Sequence, residues 1–432
     1  MKQGVAEVHY SLSATPCSHI AFPTRFTPRP FSPTTFISCM KLTNFLKGDA
    51  SIWAVFFLLS GISIIEIFSS ASQLSYKTGD FFSPLIRQCE FVAAGFAVIL
   101  IISRIPCRFF KVVPILLLPL SWILLIFVMF FVEATNDGAR WIPLGAFSFQ
   151  PSELAKFGLI LYTALILAAL QREDGIAPQA FKYIMIPTVV TCGLIFFENF
   201  STAALLFCVI ILMMFVGRVH MKRFGQIAAV GIGGLLFIFV LVKGLPKGFV
   251  DEISVLHRAD TWVSRLEKYF QESSDDPKDF ILHENSQVGS ANIAIATSNI
   301  VGLAPGNSVQ RDFLSQAFSD FIFAIIIEEM GIEGAFAVIM LYIVLIFRAW
   351  KIAAKCKANF PAFLVLGLAF MLACQAVINM MVAVGLFPVT GQPLPLISRG
   401  GTAFLIFSCY FGMMLSVSIS AKRVDEENLA NA

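Results

Sequence analysis

Ten stretches of this chain stay apolar over about the roughly 20 residues that a helix needs to cross a bilayer. They run at about 51–72, 87–103, 111–132, 152–170, 183–198, 201–217, 225–243, 320–347, 361–384 and 400–420. In hydrocarbon every backbone N–H and C=O has to be satisfied inside the segment, which a helix does by itself. The expectation is an all-α polytopic membrane protein with ten transmembrane helices. Composition agrees, since 14% of the 432 residues are charged and 57% are hydrophobic, against about 25% charged in an ordinary globular domain. A net charge of +3 is too small to point to nucleic acid. The nine cysteines, Cys192, Cys208, Cys374 and Cys409 among them, lie mostly inside apolar runs without metal-ligand or disulfide spacing, and read as small buried hydrophobes.

Lysines and arginines in the short loops set the orientation. Lys41 and Lys47 precede the first span. Arg104, Arg108 and Lys111 join the second to the third, and Arg172 and Lys182 the fourth to the fifth. Arg218, Lys222 and Arg223 follow the sixth, Arg348, Lys351, Lys355 and Lys357 the eighth, and Lys422 and Arg423 the tenth. With ten spans all of these fall on one side, so that side is cytoplasmic and both termini lie there. The opposite side carries the longest loop, residues 244–319, between spans seven and eight.

Residues 1–39 are rich in Pro, Ser, Thr and Phe and lack the apolar core of a signal peptide or a span. They read as a disordered tail, or as sequence upstream of a true start at Met40, where MKLTNFLKGDASIW opens a short basic lead-in to the first span. A membrane domain over 40–421 and a cytoplasmic tail over 422–432 complete the organisation. Within the long loop, Leu256, Trp262, Leu266 and Phe270 form the apolar face of a surface helix. The following HENSQVGSANIAIATSNIVGLAPGNSVQ is too polar to span and suits a re-entrant segment or an ordered binding loop.

Polar chemistry collects at APGNSVQRDFLSQAFSDFIFAIIIEEMG, Ala304 to Gly331. A polar loop turns here into a membrane-grade helix that carries Asp320 at its entrance and Glu328 and Glu329 further along. On a continuous helix Glu328 lies roughly 12 Å deeper than Asp320. A carboxylate in hydrocarbon costs at least a few kcal/mol, so such groups usually face a partner or a water-filled cavity. From the residues alone Asp320 is either an N-terminal cap, with Ser319 as the other candidate, or a base at the interface.

A second cluster is NDGARWIPLGAFSFQPSELAKFGLILY, Asn136 to Tyr162. QPS is a helix start, and Glu153 and Lys156 are spaced to pair with each other, unless Lys156 offers its positive charge to a ligand. Glu198 and Asn199 occupy a short outer turn, with a helix starting at Ser201 or Thr202. GLFPVTGQPLPLISRGGTAF, Gly385 to Phe404, is a Pro- and Gly-stiffened loop with Arg399 at the head of the last helix, a setting for a phosphate or for a snorkelling headgroup contact. Arg87 and Glu66 add charges to the first two spans. Asp320, Glu153, Lys156, Glu198, Arg399 and Arg87 all map to the outer half of the spans or to outer loops. An ion pump needs ionisable groups near mid-membrane instead. The pattern describes a site that opens outward and handles an anionic amphiphile.

Three strings, GARWIPLGAFSFQPSELAK, GNSVQRDFLSQAFSDFIFAIIIEEMG and FPVTGQPLPLISRGGTAF, with FSSAS at Phe68 to Ser72, resemble the SEDS family (shape, elongation, division and sporulation) of polytopic peptidoglycan polymerases. The resemblance covers about Met40 to Lys422. GNSVQ and SRGG are more similar to the cell-division, FtsW-like branch than to the elongation, RodA-like branch. FENFST departs from the family's QPDLGT-like string, so no family role passes to Glu198.

The resemblance implies a glycosyltransferase of the inner membrane and the division septum that polymerises lipid II, with Asp320 at the essential aspartate. There Asp320 takes the proton from the acceptor GlcNAc 4-hydroxyl as it attacks the donor MurNAc anomeric carbon and displaces undecaprenyl diphosphate with inversion. Arg87, Lys156 and Arg399 are candidates to meet the diphosphate, with Glu153 supporting Lys156. Asn307, Gln310 and Ser398 join the substrate-binding set. A divalent cation, magnesium or manganese, is a further candidate, with no organic cofactor. The implied partners are a class B penicillin-binding protein that cross-links the glycan and other divisome proteins. Glu328 and Glu329 read as structural contacts. A lipid II flippase and a non-catalytic divisome scaffold are the competing readings. The first calls for polar residues through both leaflets, and the second predicts that Asp320→Ala still complements a depletion strain.

Overall fold

The computed structural model describes residues 46–69, 82–131, 142–144, 147–172, 175–196, 198–227, 229, 231, 233, 287–314, 319–399 and 401–430. The tail over 1–39, the surface helix expected over 256–270 and most of the seventh span lie outside the described residues. Leu46 to Ala432 belong to one unit and residues 1–45 to another.

The described chain is helical apart from two short hairpins. Helices α1 (Ala50–Ser69), α2 (Ser83–Ser103), α3 (Val113–Phe131), α4 (Pro151–Ala169) and α5 (Gln179–Phe196) come first, with α6 (Phe200–Val216), α7 (Gln287–Thr297), α8 (Ile322–Lys355), α9 (Asn359–Ala383) and α10 (Gly401–Ala430) after them. Strands β1 (Ile142–Leu144) and β2 (Phe147–Phe149) pair antiparallel ahead of α4, and β3 (Gln171–Arg172) and β4 (Gly175–Ile176) pair after it. Among the described residues eight helices are long and apolar enough to cross a membrane, and α6 is an apolar helix of 17 residues. The protein is a multi-pass membrane protein.

Local chemistry sets the helix ends. Asp49 caps α1 by accepting the amides of Ser51 at 2.9 Å and Ile52 at 3.3 Å. Pro151 opens α4, where its missing N–H leaves nothing unsatisfied, and Glu153 sits in the first turn against the positive end of the helix. Asn199 caps α6 by accepting from Ser201 and Thr202, so this helix begins at Phe200, just ahead of the expected start.

Helix α9 sits among α8, α4, α6 and α10, and α10 packs along α2. The outer rank turns large apolar side chains such as Leu116, Phe130, Ile186 and Phe336 outward, as lipid contact requires. Two ends of the bundle can be told apart by contact. At one, Asp49 pairs with Arg348 near the end of α8. At the other lie Ser69, which ends α1, and Ala383, which ends α9.

Helix α8 differs from the single descending helix expected over 320–347. It runs to Lys355, and Gly331 breaks it with φ 71° and ψ −172°, a conformation almost confined to glycine. The segment below the break, 332–355, is long enough to span alone. The segment above it, 322–330, has each end tied to the same end of the bundle. The Asp320 carbonyl accepts from Asn379, one turn before the end of α9, and Glu329 accepts from Ser69 at the end of α1. This half-helix therefore runs across the bundle, and the 12 Å descent expected from Asp320 to Glu328 does not occur. The physical reason is the glycine, which sequence periodicity does not distinguish from an ordinary helical residue.

Candidate functional site

Asp320 stands at the entrance of the half-helix, half-buried, and accepts the Ser319 hydroxyl at 3.0 Å. The N-cap position of α8 is Phe321, which offers no side-chain oxygen. The backbone around Asp320 is held firmly. The amide nitrogen of Asn379 donates to the carbonyls of Asp320 at 3.0 Å, Ser319 at 3.4 Å and Gln392 at 2.8 Å. The Ser398 hydroxyl donates to the Ser319 carbonyl at 2.8 Å and accepts the Leu394 amide at 2.7 Å. Ser398 thus grips the peptide before Asp320.

The loop over 385–399 supplies this grip because it dips into the bundle. Leu394, Leu396 and Ile397 are buried, and Leu396 adopts φ 63°. Its carbonyls are satisfied from three helices. Ser63 of α1 donates to Ile397 at 2.8 Å, Tyr342 of α8 to Pro395 at 2.6 Å and Gln375 of α9 to Pro393 at 2.9 Å. Irregular backbone at membrane depth is tolerated where protein satisfies it in this way. Asn199 and Thr202 of α6 complete the frame, through Thr390 and Gln392.

Arg399 follows Ser398 directly and reaches the surface. Partial burial, and then the positive charge of Arg87, hold its guanidinium below the usual arginine range. Gln88 carries the first turns of α2 to this loop, since its amide donates to Ser63, which donates in turn to Ile397. Asp320, Ser398, Arg399 and Arg87 are therefore brought to one end of the bundle from three separated parts of the chain.

Lys156 and Glu153 are placed differently. Both are buried, with Lys156 Nζ at 2.6 Å from Glu153 and 3.2 Å from the Gln375 side-chain oxygen Oε1. The i,i+3 pairing expected from the sequence forms. The ammonium points at Gln375, which carries the dipping loop, and it is not presented at the surface. Asn307 is exposed and donates to the Leu303 carbonyl, while the Gln310 amide donates to the Glu328 carboxylate. These two belong to the segment docked on the far end of the half-helix.

That docked segment holds residues the sequence did not single out. Glu328 accepts from the Ser308 hydroxyl and the amides of Val309 and Gln310. Glu329 accepts from Ser69 and lies 3.7 Å from Arg311, whose guanidinium also donates to the carbonyl and hydroxyl of Ser69. Glu66, one turn earlier on α1, is buried and feels the charges of both Arg311 and Glu329. The carbonyls freed by the Gly331 break are taken by the amides of Leu303 and Ala304, and the amides of Ile332 and Glu333 reach Asn299 and Ile300. The only signal for Arg311 was its position in a loop between two carboxylate-bearing stretches, and its partner Ser69 is 242 residues away in sequence.

Among the described residues no group of three or more His, Cys, Asp and Glu is arranged to hold a metal ion. A cation at Asp320 would have one carboxylate from the chain, a donor set that fits magnesium-like ions, which complete their shell from water and substrate phosphate.

Residues 49–423 match the model of the FtsW, RodA and SpoVE family, described as cell cycle protein. The chain belongs to this family. Relatives named probable peptidoglycan glycosyltransferase FtsW include one from Aliivibrio salmonicida, 30% identical over 85% of this chain and 87% of its own length. Others come from Saccharophagus degradans, 30% identical over 89% and 96%, and Bacillus subtilis, 29% identical over 88% and 93%. The fold is shared with a chain of a peptidoglycan synthase complex described as coordinating polymerization and crosslinking, with a TM-score of 0.65 and 23% identity over 87% of this chain and 99% of that one. It is also shared with the rod shape determining protein RodA of Thermus thermophilus, with a TM-score of 0.57 and 22% identity over 87% and 98%.

Proposed function

We infer that this chain is a peptidoglycan glycosyltransferase that polymerises lipid II at the extracytoplasmic face of the membrane during cell division, with Asp320 as the general base. The observation that carries the reading is the half-buried Asp320 carboxylate, on backbone fixed by Asn379 and Ser398, at the end of the bundle that also carries Arg399 and the start of α2 with Arg87. The names of its relatives supply the reaction class.

In this reading the Asp320 carboxylate receives the proton of the acceptor 4-hydroxyl while that oxygen bonds to the donor's anomeric carbon. The bond to the diphosphate breaks, and the lipid diphosphate leaves with its electron pair. Arg399 and Arg87 meet the charge that develops on the leaving group, where preorganised cations act most strongly. Lys156 and Glu153 support the site from inside by fixing Gln375 and the loop it carries. Asp320 would be the residue to hold a divalent cation, which would supply Lewis-acid stabilisation of the charge on the leaving group.

Ten spans, both termini in the cytoplasm and a septal position in the inner membrane complete the reading. So does a class B penicillin-binding protein as partner, with other divisome proteins around the pair. The test is to incubate the purified chain and its transpeptidase partner with lipid II in detergent, and in parallel in liposomes with labelled lipid II in one leaflet. Glycan polymer is the expected product. Transbilayer movement of label without polymer supports a flippase, and neither product, with transpeptidase recruitment intact, supports a scaffold.

A further inference from the structure

We propose that Arg311 is a positioning residue for Asp320, acting through Ser69 and Glu329, an inference that rests on reading Asp320 as the base. The half-helix 322–330 begins directly after Asp320, so any tilt or slide of it moves that carboxylate. Gly331 uncouples it from the rest of α8, and nine residues do not make a helix that holds itself in place. Its position has to come from tertiary contacts, the apolar packing of the buried Ile322 to Ile327 along its length and the polar contacts that fix its direction at its two ends. Asn379 and Ser398 hold the Asp320 end. Arg311 organises the other.

The geometry at that end is specific. The Ser69 hydroxyl donates to Glu329 while accepting from Arg311 at 2.9 Å and from the Gly306 amide at 3.1 Å, which uses the whole capacity of one hydroxyl. The Arg311 amide donates to Ser308 at 3.1 Å, and Ser308 donates to Glu328. One arginine thus touches the end of α1 with its side chain and, through its own backbone and Ser308, the second carboxylate of the half-helix. Beside it, Gly302 and Gly331 meet backbone to backbone, so closely that a Cβ on either would overlap the other strand of chain.

A buried ion pair is weak evidence for stability, because well-packed apolar side chains of similar volume often do as well, whereas fixing one arrangement among several is a role such groups do fill. Here the arrangement fixed is the direction of a short helix with Asp320 at its tip. Misplacement by about 1 Å at a remote support is enough to cost roughly a hundredfold in rate.

The test is steady-state polymerisation of lipid II by the full chain with its transpeptidase partner, with rates normalised to folded protein. The set is Arg311→Gln, Arg311→Lys, Glu329→Gln, the double variant Arg311→Gln with Glu329→Gln, and Ser69→Ala, with Asp320→Asn as control. The expected result is a kcat lower by about tenfold to a hundredfold in Arg311→Gln with KM within about twofold. Arg311→Lys recovers part of the loss. The double variant falls no further than the worse single one, because both changes remove the same support. Ser69→Ala, which keeps both charges, lowers kcat in the same direction and answers the question if Arg311→Gln does not fold. Unchanged kcat in Arg311→Gln or Ser69→Ala, or losses that multiply in the double variant, beside an inactive Asp320→Asn overturns the positioning role alone. An active Asp320→Asn overturns the base and its positioning together.

Discussion

The two ends of this bundle handle buried charge in opposite ways. At the Asp49 end one carboxylate meets one arginine, and the same carboxylate caps a helix, so regular helices run to their ends and the charge is settled locally. Lys422 adds a contact to the Gly48 carbonyl at 2.6 Å. At the Ser69 end the carboxylates of Glu66, Glu328 and Glu329 gather around Arg311 and its neighbour Ser308, a helix is broken at glycine, and a loop dips into the protein with carbonyls held by three helices. The first arrangement closes an end. The second spends its hydrogen bonds on holding irregular backbone in one shape, and Asp320 sits on that backbone. Irregular backbone, hydrogen-bonded from several helices, is concentrated where the chemistry is proposed.

Perturbing the Ser69 end ought to do more harm than perturbing the other, and the largest effect belongs to Gly331→Ala. Strain at its φ and ψ costs about 1–3 kcal/mol and overlap with the Ile300 carbonyl a similar amount, up to about 6 kcal/mol in all. Thermal unfolding of the detergent-purified protein measures this. Gly306→Ala, also at positive φ but with open space around it, feels the strain alone. Equal losses at the two glycines would break the assignment of the Gly331 break as a close clasp.

Next comes Lys156→Met, which leaves Glu153 buried without its cation and lowers stability by about 3–5 kcal/mol, a loss that Glu153→Leu in the same chain recovers. Failure to recover would mean that Lys156 does more than neutralise Glu153. Tyr342→Phe strands the Pro395 carbonyl and costs about 1–3 kcal/mol.

The smallest effect is at the opposite end. Burial pushes the Asp49 carboxyl up, but the hydrogen bond and charge of Arg348, with the amides of Ser51 and Ile52, outweigh it and leave the group below its ordinary value of 3.8. A depressed pKa stabilises the fold above that ordinary value, and the contribution is lost as pH falls through it to the lower folded-state value. Asp49→Asn is therefore less stable than the parent at neutral pH by about 1 kcal/mol, since Arg348 is partly exposed to solvent. The two melting temperatures converge as the pH falls below 3.8. A gap that persists in acid would show that the charge of Asp49 is not what sets the difference, since Asn keeps an oxygen able to cap the helix.

The spans were legible because a bilayer imposes one length and one pattern: seven of the ten expected runs coincide with described helices to within four residues, while α8 and α10 begin where expected and run on to Lys355 and Ala430. The Glu153 and Lys156 pair was legible because their spacing on one helix brings them together. Gly331 was not, because a glycine inside an apolar run has the same pattern whether the helix continues or breaks. The break follows from docking by Ile300 and Gly302, whose backbone closes on it only in three dimensions. Arg311 was missed for the same reason, since its partners Ser69 and Glu329 come from distant segments, and nothing in the apolar run around Asn379 shows that its amide meets three carbonyls. Arg87 and Arg399 were one candidate set in the sequence, but the loop's descent into the bundle, which carries Ile397 to Ser63 and Gln88, was not legible, since its prolines and glycines mark it as rigid without giving its direction.

The most direct measurement is the turnover of lipid II by Asp320→Asn, a near-isosteric change that keeps the surrounding backbone contacts and removes the proton acceptor. The expected result is a folded protein with a kcat lower by about 10²–10⁴-fold, because Asn379 and Ser398 grip backbone carbonyls that the substitution keeps. A folded Asp320→Asn protein that polymerises at the parent rate would contradict it.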